Sequence, residues 1–124
     1  MNVVDTSGWL EYFANSPHAR HFAPAIEDTE NLLVPAIVVY EIFKKISQTL
    51  DEGRAFQAIA QIKLGRVIDI DESVAVYAAK ASIEKKLPMA DALIYATAML
   101  HGATVYTMDA HFEGLPNVRF FAKN

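Results

Sequence analysis

Four acidic residues stand at the edges of apolar segments, where a carboxylate is costly to bury, and they constrain the fold more than any other feature of the sequence. They are Asp5, Glu41, Asp91 and Asp109. A carboxylate that leaves water costs roughly several kcal/mol unless it is paired, protonated or bound to a metal. Any one of them alone is typical of a helix cap or a strand end. Together they favour a converging site for a divalent cation, because hard cations such as Mg²⁺ prefer oxygen ligands.

Short apolar runs alternate with stretches of helical period, which predicts an α/β fold with a mostly parallel sheet flanked by helices. Strands are expected at residues 2–5, 32–34, 67–70, 103–108 and 118–121. One helix should start near Thr6 and Ser7, which offer N-cap oxygens, and end at Pro17. Further helices are expected at residues 18–28, 36–50, 54–64, 72–86 and 89–101, with a short turn or helix at 112–115.

The four acids are far apart in sequence, but this architecture predicts that they meet. Asp5 and Asp109 fall at the carboxyl ends of two expected strands. Glu41 falls one to two turns into the helix after another strand, and Asp91 falls in the first turn of a helix that is apolar nearly all round. Crossover connections place the carboxyl ends of parallel strands on one side, and the crevice beyond those ends is where such sheets bind ligands.

Composition bounds the class of protein. The 124 residues amount to a single domain, residues 1–124, and 52% hydrophobic content can supply its core. The absence of cysteine excludes a disulfide framework and a thiolate metal site. The sequence has no stretch like a signal peptide or a bilayer span, so a cytoplasmic protein with no membrane association is expected.

The net charge of −4 argues against a generic nucleic-acid binder. However, removing the four carboxylates from the 15 acidic residues leaves 11, which balances the 11 basic ones. If those four hold metal, phosphate could be held by the metal and by local basic side chains. The candidates are Lys44 with Lys45, Arg54, and Lys85 with Lys86, and a solvated helix face is the alternative for each.

Two hydroxyl residues follow the first acid and have two interpretations each. The Thr6 hydroxyl is either a donor to Asp5 or a helix cap, and Ser7 fits a cap better.

Aromatic residues further along this helix are also open to two interpretations. Trp9 and Phe13 share one face with Tyr12, and that face is either part of the core or a docking surface for a partner, since aromatic anchors are common at interfaces.

The acidic residues and the segments around them resemble the four motifs of PIN domains. Residues 2–7 resemble the opening of PIN domains, and Glu41 resembles their second acid. Residues 89–98 resemble the third motif, and residues 107–109 followed by Phe112 resemble the fourth. The resemblance spans nearly the whole chain, whose length is most similar to VapC-type toxins of bacterial and archaeal toxin–antitoxin pairs.

The resemblance implies a PIN-like three-layer sandwich and a divalent-metal-dependent endoribonuclease that cleaves RNA phosphodiester bonds as the toxin of such a pair. It implies Mg²⁺ or Mn²⁺, a homodimer, and a cognate antitoxin whose C-terminal segment covers the active-site groove. Asp5, Asp91 and Asp109 would be direct or water-mediated metal ligands, and Glu41 would complete the shell or orient the water. The family often has a further acid where this chain has His111. Imidazole is a poor ligand of Mg²⁺, so this difference argues against a second bound metal ion more than against the first.

Two other function classes compete with this interpretation. The first is a non-catalytic PIN-like module that binds RNA or a protein, but such modules usually lose acids, and all four motif acids are present here. The second is a metal-dependent phosphatase, which typically has a second aspartate two residues after its nucleophilic one. Ser7 occupies that position after Asp5.

Overall fold

A computed structural model describes residues 1–123, and its centre is a five-stranded sheet in which every neighbouring pair of strands is parallel. The strands are β1 (Asn2–Val4), β2 (Leu32–Pro35), β3 (Arg66–Ile68), β4 (Thr104–Thr107) and β5 (Val118–Phe120). Their order across the sheet is β3-β2-β1-β4-β5, so the first strand lies in the middle. The predicted α/β class with a parallel sheet is confirmed.

Six helices flank the sheet, and they connect its strands. They are α1 (Thr6–Phe13), α2 (Ala19–Glu27), α3 (Ala36–Thr49), α4 (Glu52–Ile62), α5 (Glu72–Lys85) and α6 (Met89–Leu100). Two 3₁₀ turns cover Thr29–Asn31 and Ala110–Phe112. The fourth helix begins two residues before the predicted start, because Asp51 caps it by accepting a 2.7 Å hydrogen bond from the Arg54 N–H.

The central strands are buried on both faces, which fixes the layered arrangement. Every residue of β2 is buried, and so are Val3 and Val4 of β1. A strand without an exposed face must have helices packed on both sides, as is usual for parallel sheets. Residues 94–98 of α6 are all buried, so more than a full turn of this helix is enclosed on every side, which agrees with its prediction as a buried helix.

The aromatic face of α1 belongs to the core, at least at its centre. Trp9 is 0% exposed, and its ring stacks on Phe13 with a centroid distance of 5.5 Å. The interpretation of Trp9 as an anchor for a partner is therefore wrong. Helical spacing predicts that these rings share one face, but it could not show that Trp9 is fully enclosed in the core. Tyr12 and Phe13 are partly buried at the edge of the core.

Candidate active site

Two aspartates follow the two central strands at the same edge of the sheet. Strands β1 and β4 are paired in parallel, with Val4 opposite Tyr106, and Asp5 and Asp109 come just after them. The Asp5 N–H extends the ladder by donating to the Tyr106 carbonyl at 3.1 Å. Helix α6 adds Asp91, the third residue of its first turn. The carboxyl edge thus brings three of the four sequence-predicted acids to one crevice.

Asp5 is 2% exposed, and its carboxylate accepts four hydrogen bonds from three residues. It caps α1 by accepting from the Gly8 N–H at 2.9 Å. The Ser7 hydroxyl donates to its two oxygens at 2.8 and 2.9 Å, and the Thr107 hydroxyl donates to Oδ2 at 2.7 Å. The predicted cap at Ser7 is therefore wrong. The carboxylate of Asp5 reaches the free N–H of the first turn itself, and Ser7 supports that carboxylate.

The pKa of Asp5 remains high despite these donors. Burial raises it from 3.8 to about 6, the hydrogen bonds from Thr107, Gly8 and Ser7 act in the opposite direction, and the charge of Asp109 raises it further. Asp91 behaves in the same way. Burial and then the charge of Asp109 raise its pKa from 3.8 to about 6, although the contact with His111 lowers it. Two carboxyl groups with raised pKa values in one crevice are typical of a functional site.

His111 lies within this crevice, between two of the acids. Its Nδ1 is 2.9 Å from Oδ2 of Asp91 and 3.1 Å from Oδ1 of Asp109. Asp109 positions it by accepting from the His111 N–H at 2.9 Å, which begins the second 3₁₀ turn. The imidazole is 56% exposed, whereas the side chain of Asp91 is only 16% exposed, so the crevice opens to solvent on the histidine side.

Glu41 stands apart from the other three acids. It lies on α3 and is partly buried, and its Oε1 accepts a 2.5 Å hydrogen bond from the Thr6 hydroxyl. Both predicted roles of the Thr6 hydroxyl, as a donor to Asp5 or as the helix cap, are wrong, because it donates to Glu41 and so connects the start of α1 to α3. The carboxylate of Glu41 is thus bonded to the residue next to Asp5, and neither Glu41 nor Asp5 belongs to the tight group formed by Asp91, Asp109 and His111.

The donor set of that group fits a small divalent cation. One ligand atom from each of Asp91, Asp109 and His111 lies within 4.8 Å of the others. Neighbouring ligands of an octahedral ion with bonds of about 2.1 Å lie about 3 Å apart, and the separations at the His111 nitrogen are of that size. Carboxylate oxygens suit Mg²⁺ and Mn²⁺, and an imidazole nitrogen favours transition metals.

Sequence reasoning missed the role of Thr107. This residue is 0% exposed. Its oxygen accepts from the Asp109 N–H at 2.8 Å while its hydroxyl donates to Asp5 at 2.7 Å. The available signal was a polar residue at a buried position of β4, where Val105 is the other buried residue.

A known protein family matches most of the chain. The family model described as PIN domain matches residues 3–117. No curated protein sequence matches the chain significantly. Along residues 1–123, none of the helices combines the length and apolar character that a membrane crossing requires.

Several solved structures share the fold over nearly their whole length. A chain of a toxin–antitoxin complex from Klebsiella pneumoniae is 24% identical, with a TM-score of 0.81 over 98% of this chain and 99% of that one. A chain of DNA-bound VapBC from Salmonella typhimurium is 19% identical, with a TM-score of 0.77 over 98% and 96%. VapC20 of Mycobacterium tuberculosis, a toxin that cleaves the sarcin–ricin loop, is 17% identical, with a TM-score of 0.78 over 95% and 97%. At these identities the likeness shows the fold.

Proposed function

The chain belongs to the PIN domain family, and we propose that it is a divalent-metal-dependent endoribonuclease that cleaves RNA phosphodiester bonds. The observation that carries the proposal is the convergence of Asp5, Asp91 and Asp109 at the carboxyl edge of β1 and β4. Two of these carboxyl groups have pKa values raised to about 6. A protein gains nothing in stability from crowding such groups, so a bound cation is the simplest reason to keep them together.

Each acid has a role in this proposal. Asp91 and Asp109 would hold the cation, and Asp5 would hold it directly or through water. Glu41 completes the shell or orients the attacking water from the α3 side, since Thr6 fixes its carboxylate. When bound, Mg²⁺ or Mn²⁺ offsets the negative charge of the crevice, polarises a phosphoryl oxygen and lowers the pKa of bound water.

The donors around the acids keep them in place for this chemistry. Thr107, Ser7 and the Gly8 N–H fix the orientation of Asp5 and favour its ionised form, which is the form that holds a cation. Thr107 also accepts a hydrogen bond from the Asp109 N–H, so one buried hydroxyl group contacts both Asp5 and Asp109.

We further propose that the protein acts as a single domain and as the toxin of a toxin–antitoxin pair. The similar chain from K. pneumoniae comes from a toxin–antitoxin complex, and the similar VapC20 is a toxin. A cognate antitoxin and a homodimer follow from that proposal. Growth arrest on expression of the chain, relieved by co-expression of a small adjacent open reading frame, is the expected result in cells.

Cleavage of labelled RNA tests the enzymatic proposal. The wild type should cleave with Mg²⁺ or Mn²⁺ and stop with EDTA, and Asp91→Asn should lower the rate by orders of magnitude without unfolding the protein. Asp69→Asn is the matched control, because Asp69 is exposed and follows the edge strand β3, which is separated from β1 by β2. Cleavage that persists in excess EDTA would contradict the metal mechanism. Hydrolysis of a small phosphate ester in place of RNA would favour a phosphatase.

A further inference from the structure

A cavity of about 370 Å³ opens beside Glu41, on the α3 side of the acidic crevice. The Thr6–Glu41 hydrogen bond forms part of its wall, so the cavity adjoins the start of α1 and therefore Asp5. The residues that line it and could contact a ligand are Thr6, Tyr40, Glu41, Lys44, Lys45 and Gln48. A group bound here would lie next to the site proposed for cleavage.

Two features of this cavity suit a nucleotide. Tyr40 is 58% exposed, although it is a large aromatic residue on a helix that packs against the core. The Lys44 ammonium lies 5.7 Å from the centre of the Tyr40 ring. An exposed ring beside a cation is the combination that binds single-stranded nucleic acid, because any base can stack on the ring while the cation contacts phosphate.

The lysines of this cavity also differ from the other basic clusters of the sequence in their position relative to the acids. RNA must approach an acidic crevice, so cations close to that crevice have the largest effect on its approach. Arg54 lies 3.7 Å from Asp51, which already offsets its charge, and Lys85 lines a separate cavity on α5. Lys44 and Lys45 line the cavity that contains Glu41.

We propose that Tyr40, Lys44 and Lys45 form a subsite for a nucleotide of single-stranded RNA next to the phosphate that is cleaved. The base stacks on Tyr40, and the two lysines contact the phosphates that flank it. This inference rests on the proposed ribonuclease function. It implies that the subsite contributes affinity with little base preference, because stacking tolerates every base.

The test is the affinity of the protein for a fluorescein-labelled single-stranded RNA of about 12 nucleotides, measured by anisotropy with Ca²⁺ in place of Mg²⁺. A gel run afterwards checks that the RNA is intact. Tyr40→Ala should weaken binding at least about fivefold, the loss of one stacked base. The double variant Lys44→Ala/Lys45→Ala should weaken binding and reduce the salt dependence of log K by about 1.4, because each phosphate contact on a single strand contributes about 0.7.

Helix α5 offers matched controls. Tyr77 is 37% exposed and lines a cavity with Lys80 and Lys85, so it reproduces the ring and lysines away from the crevice. Tyr77→Ala and Lys80→Ala/Lys85→Ala should leave RNA affinity within about twofold of the wild type. Circular dichroism should show that all variants fold, since the substituted side chains are exposed.

Three outcomes would overturn the subsite. If the wild type binds RNA and the Tyr40 and lysine variants bind it equally well, the subsite is rejected and the ribonuclease function stays intact. Unchanged RNA affinity combined with weaker binding of a co-expressed antitoxin would assign the cavity to a protein interface. Failure of the wild type to bind RNA at all would remove the proposed function together with the subsite.

Discussion

Among single residues, Thr107 has a hydroxyl group that makes hydrogen bonds to both of the aspartates that follow β1 and β4. It donates to Asp5 and accepts from the backbone of Asp109, and it has no access to solvent. Loss of the hydroxyl would leave the partly buried Asp109 N–H without its acceptor, and it would remove one of the two donors to Oδ2 of Asp5. The cost of such unpaired groups is about 1–3 kcal/mol.

Thr107→Val should therefore destabilise the protein by about 1–3 kcal/mol and lower RNA cleavage strongly. It should also raise the pKa of Asp5 further, because the Thr107 hydrogen bond is the largest influence that lowers it. Thr97→Val is the control. Thr97 is similarly buried, but its hydroxyl donates to the Leu93 carbonyl within α6 and not to an acidic side chain. Equal losses of activity in the two variants, measured alongside urea denaturation, would contradict the role given to Thr107.

His111 should affect which metal the protein uses. An imidazole nitrogen among oxygen ligands favours Mn²⁺ over Mg²⁺ relative to an all-carboxylate set. His111→Asp should therefore raise the activity with Mg²⁺ relative to that with Mn²⁺, measured as a ratio of cleavage rates. His18→Asp, a change of the same kind at the residue before α2, should leave the ratio unchanged. A constant ratio in His111→Asp would show that the imidazole does not contact the metal.

The acids could be identified from the sequence because charge next to apolar runs is unusual and costly. The donors could not, because hydroxyl residues such as Ser7 and Thr107 are ordinary at helix starts and in strands. Their partners depend on β1 lying beside β4, which joins residues 102 positions apart in the Thr107–Asp5 hydrogen bond. Sequence spacing carries no information about that pairing.

At the scale of elements, Gly8 allows α1 to pack closely enough to place its first turn over Asp5. A Cβ at this position would lie 2.6 Å from Cδ1 of Phe22 and 2.7 Å from Cγ1 of Val4. Both neighbours are fully buried, so they have little room to move. The same residue supplies the N–H that Asp5 accepts, so the packing of α1 and the geometry of the site are coupled.

Gly8→Ala should destabilise the protein by about 1–3 kcal/mol through overpacking, despite the better helix propensity of alanine. Gly53→Ala is the control on α4, where a Cβ would contact only the exposed Asp51 side chain at 3.3 Å. Its effect should be close to neutral or slightly stabilising. Chemical denaturation of both variants measures the difference. A Gly8→Ala protein as stable as Gly53→Ala would show that α1 can shift without cost.

Most strands and helices could be predicted from apolar runs and helical periods, whereas their arrangement could not. The buried run of β2 and the apolar helix α6 were found with small errors at their ends. The order of strands depends on which crossover packs on which face, and local patterns do not contain it. For the same reason the sequence left the environment of Trp9 open.

At the scale of the whole molecule, the metal-free protein should carry an electrostatic penalty that depends on pH. The folded-state pKa of Asp5 and Asp91 is raised to about 6 from 3.8. Between these values the folded state binds more protons than the unfolded state, so the free energy of unfolding rises as pH falls. The contribution of these groups is fully present below about pH 4 and is lost as pH rises through about 6.

The metal-free wild type should thus be more stable at pH 5 than at pH 7, measured by urea denaturation in EDTA. Asp91→Asn removes one of the two groups and should flatten this dependence, while Asp69→Asn should keep it. A wild type that loses stability steadily from pH 7 to pH 5 would show that the two carboxyl groups are not crowded.

Differential scanning fluorimetry of wild type and Asp91→Asn, with EDTA and with millimolar Mg²⁺ or Mn²⁺, tests whether the acidic crevice binds a metal ion. In EDTA the mutant should melt above the wild type, because it has one less charge in the crevice. Metal should raise the wild-type melting temperature by several degrees, since binding adds RT ln(1 + [L]/Kd), about 2.7 kcal/mol at 100-fold excess over Kd. The mutant should lose most of that gain. If Asp91→Asn melts below the wild type in EDTA and metal shifts neither protein, the acidic crevice is not a metal site.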